Sequence, residues 1–175
     1  LSRHNLKGIF FVEPLFAYRF GLDRLQQIVD LIAEAGHEIQ LHLHPEWVDE
    51  VEPPLVSGIS GKRPFMHQFD LPSQTQLITK GIEALQACGV PRPTVFRAGS
   101  YACNRDTFRA LAANQIFIDT SANFSYPGSA KDIGPDERKQ QPFLIEQVSE
   151  YPVANFVDGF RRRRHWQIGA VGFDE

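Results

Sequence analysis

The chain has 175 residues, 42% of them hydrophobic, which is enough to bury one ordinary core, so we expect a single domain spanning residues 1–175. A net charge of −3 and a pI near 6.1 provide no overall positive field for nucleic acid or for an anionic membrane. No apolar run approaches the roughly 20 residues that span a bilayer. These values argue against nucleic-acid binding and predict no membrane segment in this chain, and they leave its localisation open.

Strands and helices alternate along the first two thirds of the sequence. Residues 8–13 form a compact apolar run typical of a strand, and apolar residues then recur at helical spacing over residues 22–35 until Gly36 ends the helix. Two further pairs follow, and a last strand closes the series: "HEIQLHLH" with "SQTQLITKGIEALQACG", "TVFRAG" with "NRDTFRALAAN", and "IFIDTS". This order predicts a parallel α/β sheet or barrel, with its chemistry at the carboxyl ends of the strands.

The regular alternation is interrupted twice and weakens near both ends. Residues 51–69 and 126–142 are longer than ordinary connections, which favours a lid or wall beside a site. After Pro142 we predict one or two strands in "FLIEQVSEYPVANF". Residues 1–5 are typical of the last turn of a helix and residues 166–175 of a strand without its covering element. We therefore expect the chain to be the middle of a longer protein.

The strand at residues 37–44 carries two histidines on one face. Alternate side chains share a face, so His42 and His44 point the same way as Glu38 and Gln40. Such a polar face fits either a polar barrel interior or an edge strand in water, and the alternation alone does not decide between them. Two imidazoles at a strand end favour a cation such as zinc, which needs one further protein ligand, and no third ligand is evident nearby.

Longer segments resemble a known family. "LKGIFFVEPLFA" followed by "IAEAGHEIQLHLHP" resembles two strands of the polysaccharide deacetylase family, the NodB-homology carbohydrate esterases. "VFRAGSYACNRDTFRALAANQIFIDTS" resembles that family's arginine motif with its following helix and strand. The resemblance covers roughly Leu6 to Asn123. It implies a distorted (β/α) barrel, incomplete in this chain, whose metal is held by one Asp and two His.

The resemblance assigns roles to individual residues. His42 and His44 match the two histidine ligands, and Arg97 matches the arginine that orients the catalytic carboxylate. Asp119 matches an acid of the next motif and is a catalytic candidate, although a strand-end Asp is also a common turn former. Three residues usually separate the family's histidines, and here one residue separates them. The family's paired aspartates have no counterpart in this chain. Its general-acid histidine has none either, since the sequence "RRRRHW" around His165 does not match that motif.

The resemblance implies a metal-dependent hydrolase that removes N- or O-acetyl groups from a glycan, with zinc the most plausible metal. Trp47 and Tyr101 are candidate stacking residues for a sugar ring. Without the acids of the missing motif, we expect this chain by itself to be inactive. Two alternatives stay open: another H-x-H metallohydrolase barrel of the amidohydrolase or PHP kind, and a glycan-binding relative without catalysis. The run Arg161–Arg164 is read as a solvated charge run, with binding of an anionic glycan or phosphate as the alternative.

Overall fold

The computed structural model describes residues 4–126, 128–129, 132–133 and 141–166. Six strands form one sheet in the order β1-β2-β3-β4-β6-β5, in which β5 pairs antiparallel with β6 and every other pairing is parallel. Their bounds are β1 (Ile9–Val12), β2 (Glu38–Leu43), β3 (Val95–Ala98), β4 (Ile118–Asp119), β5 (Phe143–Ile145) and β6 (Val148–Glu150). The mainly parallel α/β architecture predicted from the alternating pattern is confirmed.

Four α-helices connect the parallel strands, and a separate antiparallel hairpin follows the sheet. The helices are α1 (Phe16–Phe20), α2 (Leu22–Glu34), α3 (Leu71–Ala87) and α4 (Arg105–Ala113), and the hairpin consists of β7 (Asn155–Val157) and β8 (Arg163–His165). Short 3-10 turns occupy Pro45–Glu50, Met66–Gln68 and Gly99–Tyr101. Two of these turns, Pro45–Glu50 and Gly99–Tyr101, directly follow the ends of β2 and β3, where the candidate site residues lie.

The helices α2 and α4 follow from the apolar spacing and the capping residues in their sequences. Leu25, Val29 and Ile32 lie one turn apart on the buried side of α2, and Gly36 just beyond its end has the left-handed φ of +69°. Asn104 caps α4, since its side-chain oxygen accepts a hydrogen bond from the Thr107 amide at 3.0 Å. The short helix α1 was not predicted.

The two faces of the sheet differ in their cover. On one face Leu41, Leu43 and Phe96 are fully buried beneath the helices. Helix α3 comes so close that a Cβ added at Gly81 would lie 2.9 Å from the side chains of Leu41 and Leu43. The opposite face carries the alternate residues of the same strands and is only partly buried. We call these the covered face and the open face.

The region after residue 142 differs from the prediction. Instead of one or two strands, residues 143–157 form three, because Glu146 and Gln147 adopt left-handed φ values of 45° and 71° and turn β5 back along β6. Strand β6 then joins the sheet parallel to β4. Within the described residues the sheet is open, with β1 and β5 at its edges, so closure into a barrel stays a prediction.

The structure also bears on the expectations for the two cysteines, for membrane segments and for the chain ends. Cys88 and Cys103 are both buried, in agreement with a packing role for Cys88 at the end of α3. Among the described residues, no helix is both long enough and apolar enough to cross a membrane. The expectations for residues 1–3 and 167–175, and for most of the irregular stretch at 127–140, lie outside the described residues.

Candidate active site

The carboxyl ends of β2 and β3 bring three of the predicted site residues together. His42 is the register partner of Arg97 in the adjacent parallel strand, so both side chains lie on the open face. His44 follows the end of β2 and lies beside His42, with ring centroids 4.8 Å apart and ring planes at 76°. The structure therefore places the two imidazoles together, as the H-x-H spacing predicted, and the guanidinium beside them at the same edge of the sheet.

The imidazole of His42 is held in one tautomer. Its Nδ1 lies 2.6 Å from the backbone oxygen of Arg97, and since a carbonyl oxygen only accepts, Nδ1 carries the hydrogen. Burial lowers the pKa of His42 to about 4, so the ring is neutral at pH 7. The lone pair on Nε2 is thus available to a ligand, which is the arrangement that metal-binding histidines adopt.

Packing against Gly99 positions the ring of His44. A Cβ added at Gly99 would lie 2.7 Å from Cγ and Nδ1 of that ring and 2.7 Å from the oxygen of Leu43. Only glycine permits this approach, because real Cβ contacts are never so short. The Glu46 carboxylate lies 3.7 Å from Nδ1 of His44, which is too long for a hydrogen bond. Packing against Gly99, and not a hydrogen bond to Glu46, therefore orients His44.

Arg97 lies across the open face and is anchored at both sides. Its guanidinium carbon lies 4.4 Å from the centre of the Phe11 ring in β1, and its Nε donates to Oγ1 of Thr120 at 2.7 Å. Burial lowers the pKa of Arg97, while Tyr101, Asp119 and Glu150 raise it, and the group stays charged. Among the described residues, only Nε of the guanidinium makes a hydrogen bond, which leaves its two terminal nitrogens for an anion.

Glu13 is an acid at the carboxyl end of β1, the strand next to β2. Its carboxylate accepts hydrogen bonds from the amides of Leu15 at 2.8 Å and Phe16 at 3.1 Å, which explains why α1 begins there. Burial raises the pKa of Glu13 to about 7, against the opposing effect of these amides and of the His44 backbone. A carboxyl group with this pKa exchanges its proton near neutral pH.

Asp119 lies on the covered face. Its register partner is Phe96, so its side chain points away from Arg97, and it is fully buried. The carboxylate accepts from the amide of Ser121 at 2.9 Å and from its hydroxyl at 2.8 Å. The same Ser121 oxygen accepts from the Ala98 amide at 2.8 Å. Asp119 thus links the ends of β3 and β4 from behind the site.

Glu150 at the end of β6 completes a buried carboxyl pair with Asp119. It is the register partner of Asp119, is fully buried, and accepts from the Ala122 amide at 3.0 Å. Burial raises the pKa of both acids, and the neighbouring Asp119 carboxylate helps to raise the pKa of Glu150 to about 11. Glu150 therefore holds its proton at neutral pH.

The two predicted stacking residues flank the site on different sides. Trp47 lies in the 3-10 turn after His44, and its ring meets Phe20 edge-on at 5.1 Å. Tyr101 lies two residues beyond Gly99, with ring centroids 5.6 Å from Tyr126 and 6.4 Å from His165. His165, which the sequence motifs left aside, is therefore brought beside the site by the β7–β8 hairpin.

Within the described residues, the site offers two ligands for a metal ion and no third. The adjacent imidazoles of His42 and His44 are suitable donors for zinc. No group of three or more His, Cys, Asp or Glu side chains suited to a metal occurs in the part of the chain that the structure describes.

Sequence reasoning missed three residues that hold the site. Gly99 and Thr120 lie in the quoted motifs "VFRAG" and "IFIDTS", but their contacts with His44 and Arg97 depend on strand register. Phe11 was assigned only to an apolar strand. Strand parity was a usable signal, because Thr120 alternates with Asp119 and therefore lies on the opposite face.

Two solved structures share this fold. One is described as a "putative polysaccharide deacetylase from Mycobacterium smegmatis" and matches 88% of this chain and 43% of its own, with a TM-score of 0.58 and 24% identity. The other is a family 4 carbohydrate esterase from Streptomyces lividans in complex with acetate, matching 71% of this chain and 54% of its own, with a TM-score of 0.50 and 16% identity.

Neither a family model nor a curated protein sequence matches the chain. The chain spans about half, or less, of the length of the two solved structures. The chain whose segments resemble polysaccharide deacetylases thus also shares its fold with these two solved structures. In its described part, this chain has the fold of the polysaccharide deacetylases and family 4 carbohydrate esterases.

Proposed function

We propose that this chain supplies the imidazole-bearing part of a metal-dependent active site that removes N- or O-acetyl groups from a glycan. The single observation that carries the proposal is the convergence of two imidazoles at a strand edge, with the tautomer of His42 fixed by the Arg97 carbonyl. The fold likeness to a carbohydrate esterase supports the reaction class.

His42 and His44 are the proposed ligands, and zinc is the proposed metal, since neutral imidazoles suit this cation. When bound, the metal would polarise an acetyl carbonyl and lower the pKa of a water molecule. Zinc sites of this kind use three protein ligands, so we assign the third to a carboxylate outside the described residues.

The remaining groups of the site have separate tasks. The terminal nitrogens of Arg97 orient an anionic group, either a carboxylate base or the developing oxyanion. We assign the general base to an acid outside the described residues, with Glu13 as the first alternative inside the chain, because its pKa of about 7 suits proton transfer. Asp119 acts as a positioning residue through Ser121. Trp47 and Tyr101 are proposed contacts for the sugar.

Zinc titration of the whole chain by calorimetry tests the ligand assignment. His42→Ala and His44→Ala should each weaken zinc binding by at least about 10-fold, because each removes one of few protein ligands. His4→Ala is the matched control, since His4 is exposed and precedes β1 at the other end of the sheet. Equal zinc affinity in all four proteins would contradict the assignment.

Acetate release separates the enzyme from its alternatives. A version of the protein extended at both ends should release acetate from acetylated xylan or chitooligosaccharides when zinc is added, and the 175-residue chain alone should not. Sugar binding with neither zinc binding nor acetate release would favour the glycan-binding relative. Cleavage of phosphoesters or cyclic amides instead would favour a metallohydrolase of the PHP or amidohydrolase kind.

A further inference from the structure

The β7–β8 hairpin concentrates positive charge in a chain that is acidic overall. Residues 155–166 contain four arginines and one aspartate, a local net charge of +3, whereas the whole chain has −3. Two aromatic side chains in the same segment are largely exposed, Phe160 at 83% and Trp166 at 60%. Exposed aromatic rings beside arginines are typical of a binding surface and not of a merely solvated charge run.

The one aspartate of the hairpin is used within its turn. The Asp158 carboxylate accepts from the amides of Phe160 at 2.9 Å and Arg162 at 2.8 Å, and its side chain is only 5% exposed. Its other oxygen lies 4.0 Å from the guanidinium of Arg164. Among the ion pairs of the described residues, none involves Arg161 or Arg162, and both side chains are exposed at the tip. Their charge therefore faces solvent.

The hairpin lies beside the candidate active site. His165 at the end of β8 has its ring centroid 6.4 Å from that of Tyr101. Tyr101 in turn follows Gly99, whose Cα supports the ring of His44. Arg163 and His165 are alternate residues of β8 and lie on the same side of it. The contact between His165 and Tyr101 thus brings the hairpin next to the turn that carries Gly99.

The chemistry of this surface selects an acidic carbohydrate. Guanidinium groups bind carboxylates through paired hydrogen bonds, and the apolar C–H face of a sugar ring packs on exposed aromatic rings. Arg162 lies over Phe160 at 5.8 Å, and Trp166 meets Phe156 edge-on at 5.7 Å, so both kinds of group are presented together. A neutral glycan would use the rings alone and leave Arg161 and Arg162 without a partner of opposite charge.

We propose that the β7–β8 hairpin binds uronic-acid-containing polysaccharides through Arg161 and Arg162. The corollary, that the substrate is an acetylated polysaccharide of this acidic class, rests on the proposed function, whereas the binding itself does not. A nucleic acid is disfavoured because the positive strip is short and the remainder of the chain is acidic, which opposes a long polyanion.

Binding of an oligogalacturonate without acetyl groups, measured by calorimetry on the whole chain, tests the proposal. The double variant Arg161→Gln/Arg162→Gln should bind about 10-fold more weakly at low ionic strength, and the difference should shrink at about 0.5 M salt. The control Lys7→Gln/Arg24→Gln removes the same charge from exposed positions before β1 and on α2, and should stay within about 2-fold of the unaltered chain. A neutral xylo-oligosaccharide of equal length should bind less tightly and be insensitive to the arginine variant.

The outcomes separate this proposal from the proposed function. His42→Ala/His44→Ala should abolish zinc binding and leave oligogalacturonate binding unchanged. Equal loss in the arginine variant and its control, no measurable binding, or tighter binding of single-stranded DNA of equal charge would each overturn the glycan assignment. None of these results would alter the zinc titration on which the imidazole pair is judged.

Discussion

At the carboxyl ends of the parallel strands, burial lowers the pKa of a histidine on the open face and raises the pKa of an acid on the covered face. On the open face, burial lowers the pKa of His42 to about 4 and leaves a neutral imidazole with a free lone pair. On the covered face, burial raises the pKa of Glu150 to about 11 and leaves a neutral carboxyl group that holds a proton. Loss of solvent disfavours whichever form is charged, so one face becomes suited to bind a cation and the other to join strands.

Because the two faces differ, the role of an acid at a strand end depends on the face on which its side chain lies. Asp119 follows the pattern of a catalytic residue in sequence, yet its side chain lies with Glu150 and Ser121 behind the sheet. The residue after it, Thr120, reaches Arg97 on the open face. A shift of one residue thus separates a supporting role from contact with the candidate site.

The largest expected effect is on the covered face. Glu150→Ala should lower the free energy of unfolding by about 3 kcal/mol, because it creates a cavity beside Asp119 and leaves the Ala122 amide without its acceptor. Glu150→Gln should cost less than about 1 kcal/mol, since the amide retains a donor of the same shape. Urea unfolding measures both. Equal destabilisation by the two variants would contradict a protonated Glu150.

The pH dependence of stability tests the same proton. The folded-state pKa of Glu150 lies above its ordinary value of 4.5, so the folded protein binds the extra proton and its contribution is complete only below about pH 4.5. It is lost as pH rises towards 11. Between pH 7 and 9 the unaltered chain should therefore lose up to about 1.4 kcal/mol per pH unit relative to Glu150→Gln. Parallel stability profiles would exclude a Glu150 that is protonated at neutral pH.

On the open face, Gly99→Ala should be the most damaging small change. The added methyl would overlap the His44 ring and the Leu43 oxygen, which should cost about 1–3 kcal/mol and weaken zinc binding. Gly159→Ala is the matched control, because a Cβ there meets nothing within 4 Å. Chemical unfolding measures the loss of stability in the two variants, and zinc titration measures their affinity for zinc. Unchanged zinc affinity in Gly99→Ala would mean that the ring position of His44 is unimportant.

The smallest expected effect concerns the anchor of Arg97. Thr120→Val removes the acceptor of the Nε hydrogen bond and should cost about 0.5–1.5 kcal/mol, whereas Thr120→Ser keeps the hydroxyl and should restore most of it. Differential unfolding of the two variants gives the comparison. If the serine variant loses as much as the valine variant, the hydrogen bond does not anchor the guanidinium.

The sequence predicted what depends on local periodicity. Helical spacing placed α2, and the alternation of β2 correctly put His42 on a polar face. The antiparallel pairing of β5 with β6 escaped prediction because left-handed φ values at Glu146 and Gln147, two ordinary L-residues, carry no sequence signal. The position of His165 beside Tyr101 also escaped, since contact between distant segments depends on how the hairpin packs.

A crystal structure of the zinc-soaked protein, with anomalous data collected at the zinc edge, tests the central claim most directly. We expect one peak about 2.0–2.1 Å from Nε2 of His42 and from a ring nitrogen of His44, because Nδ1 of His42 already donates to the Arg97 carbonyl. A peak bonded to Nδ1 of His42, or zinc bound away from both rings, would contradict it.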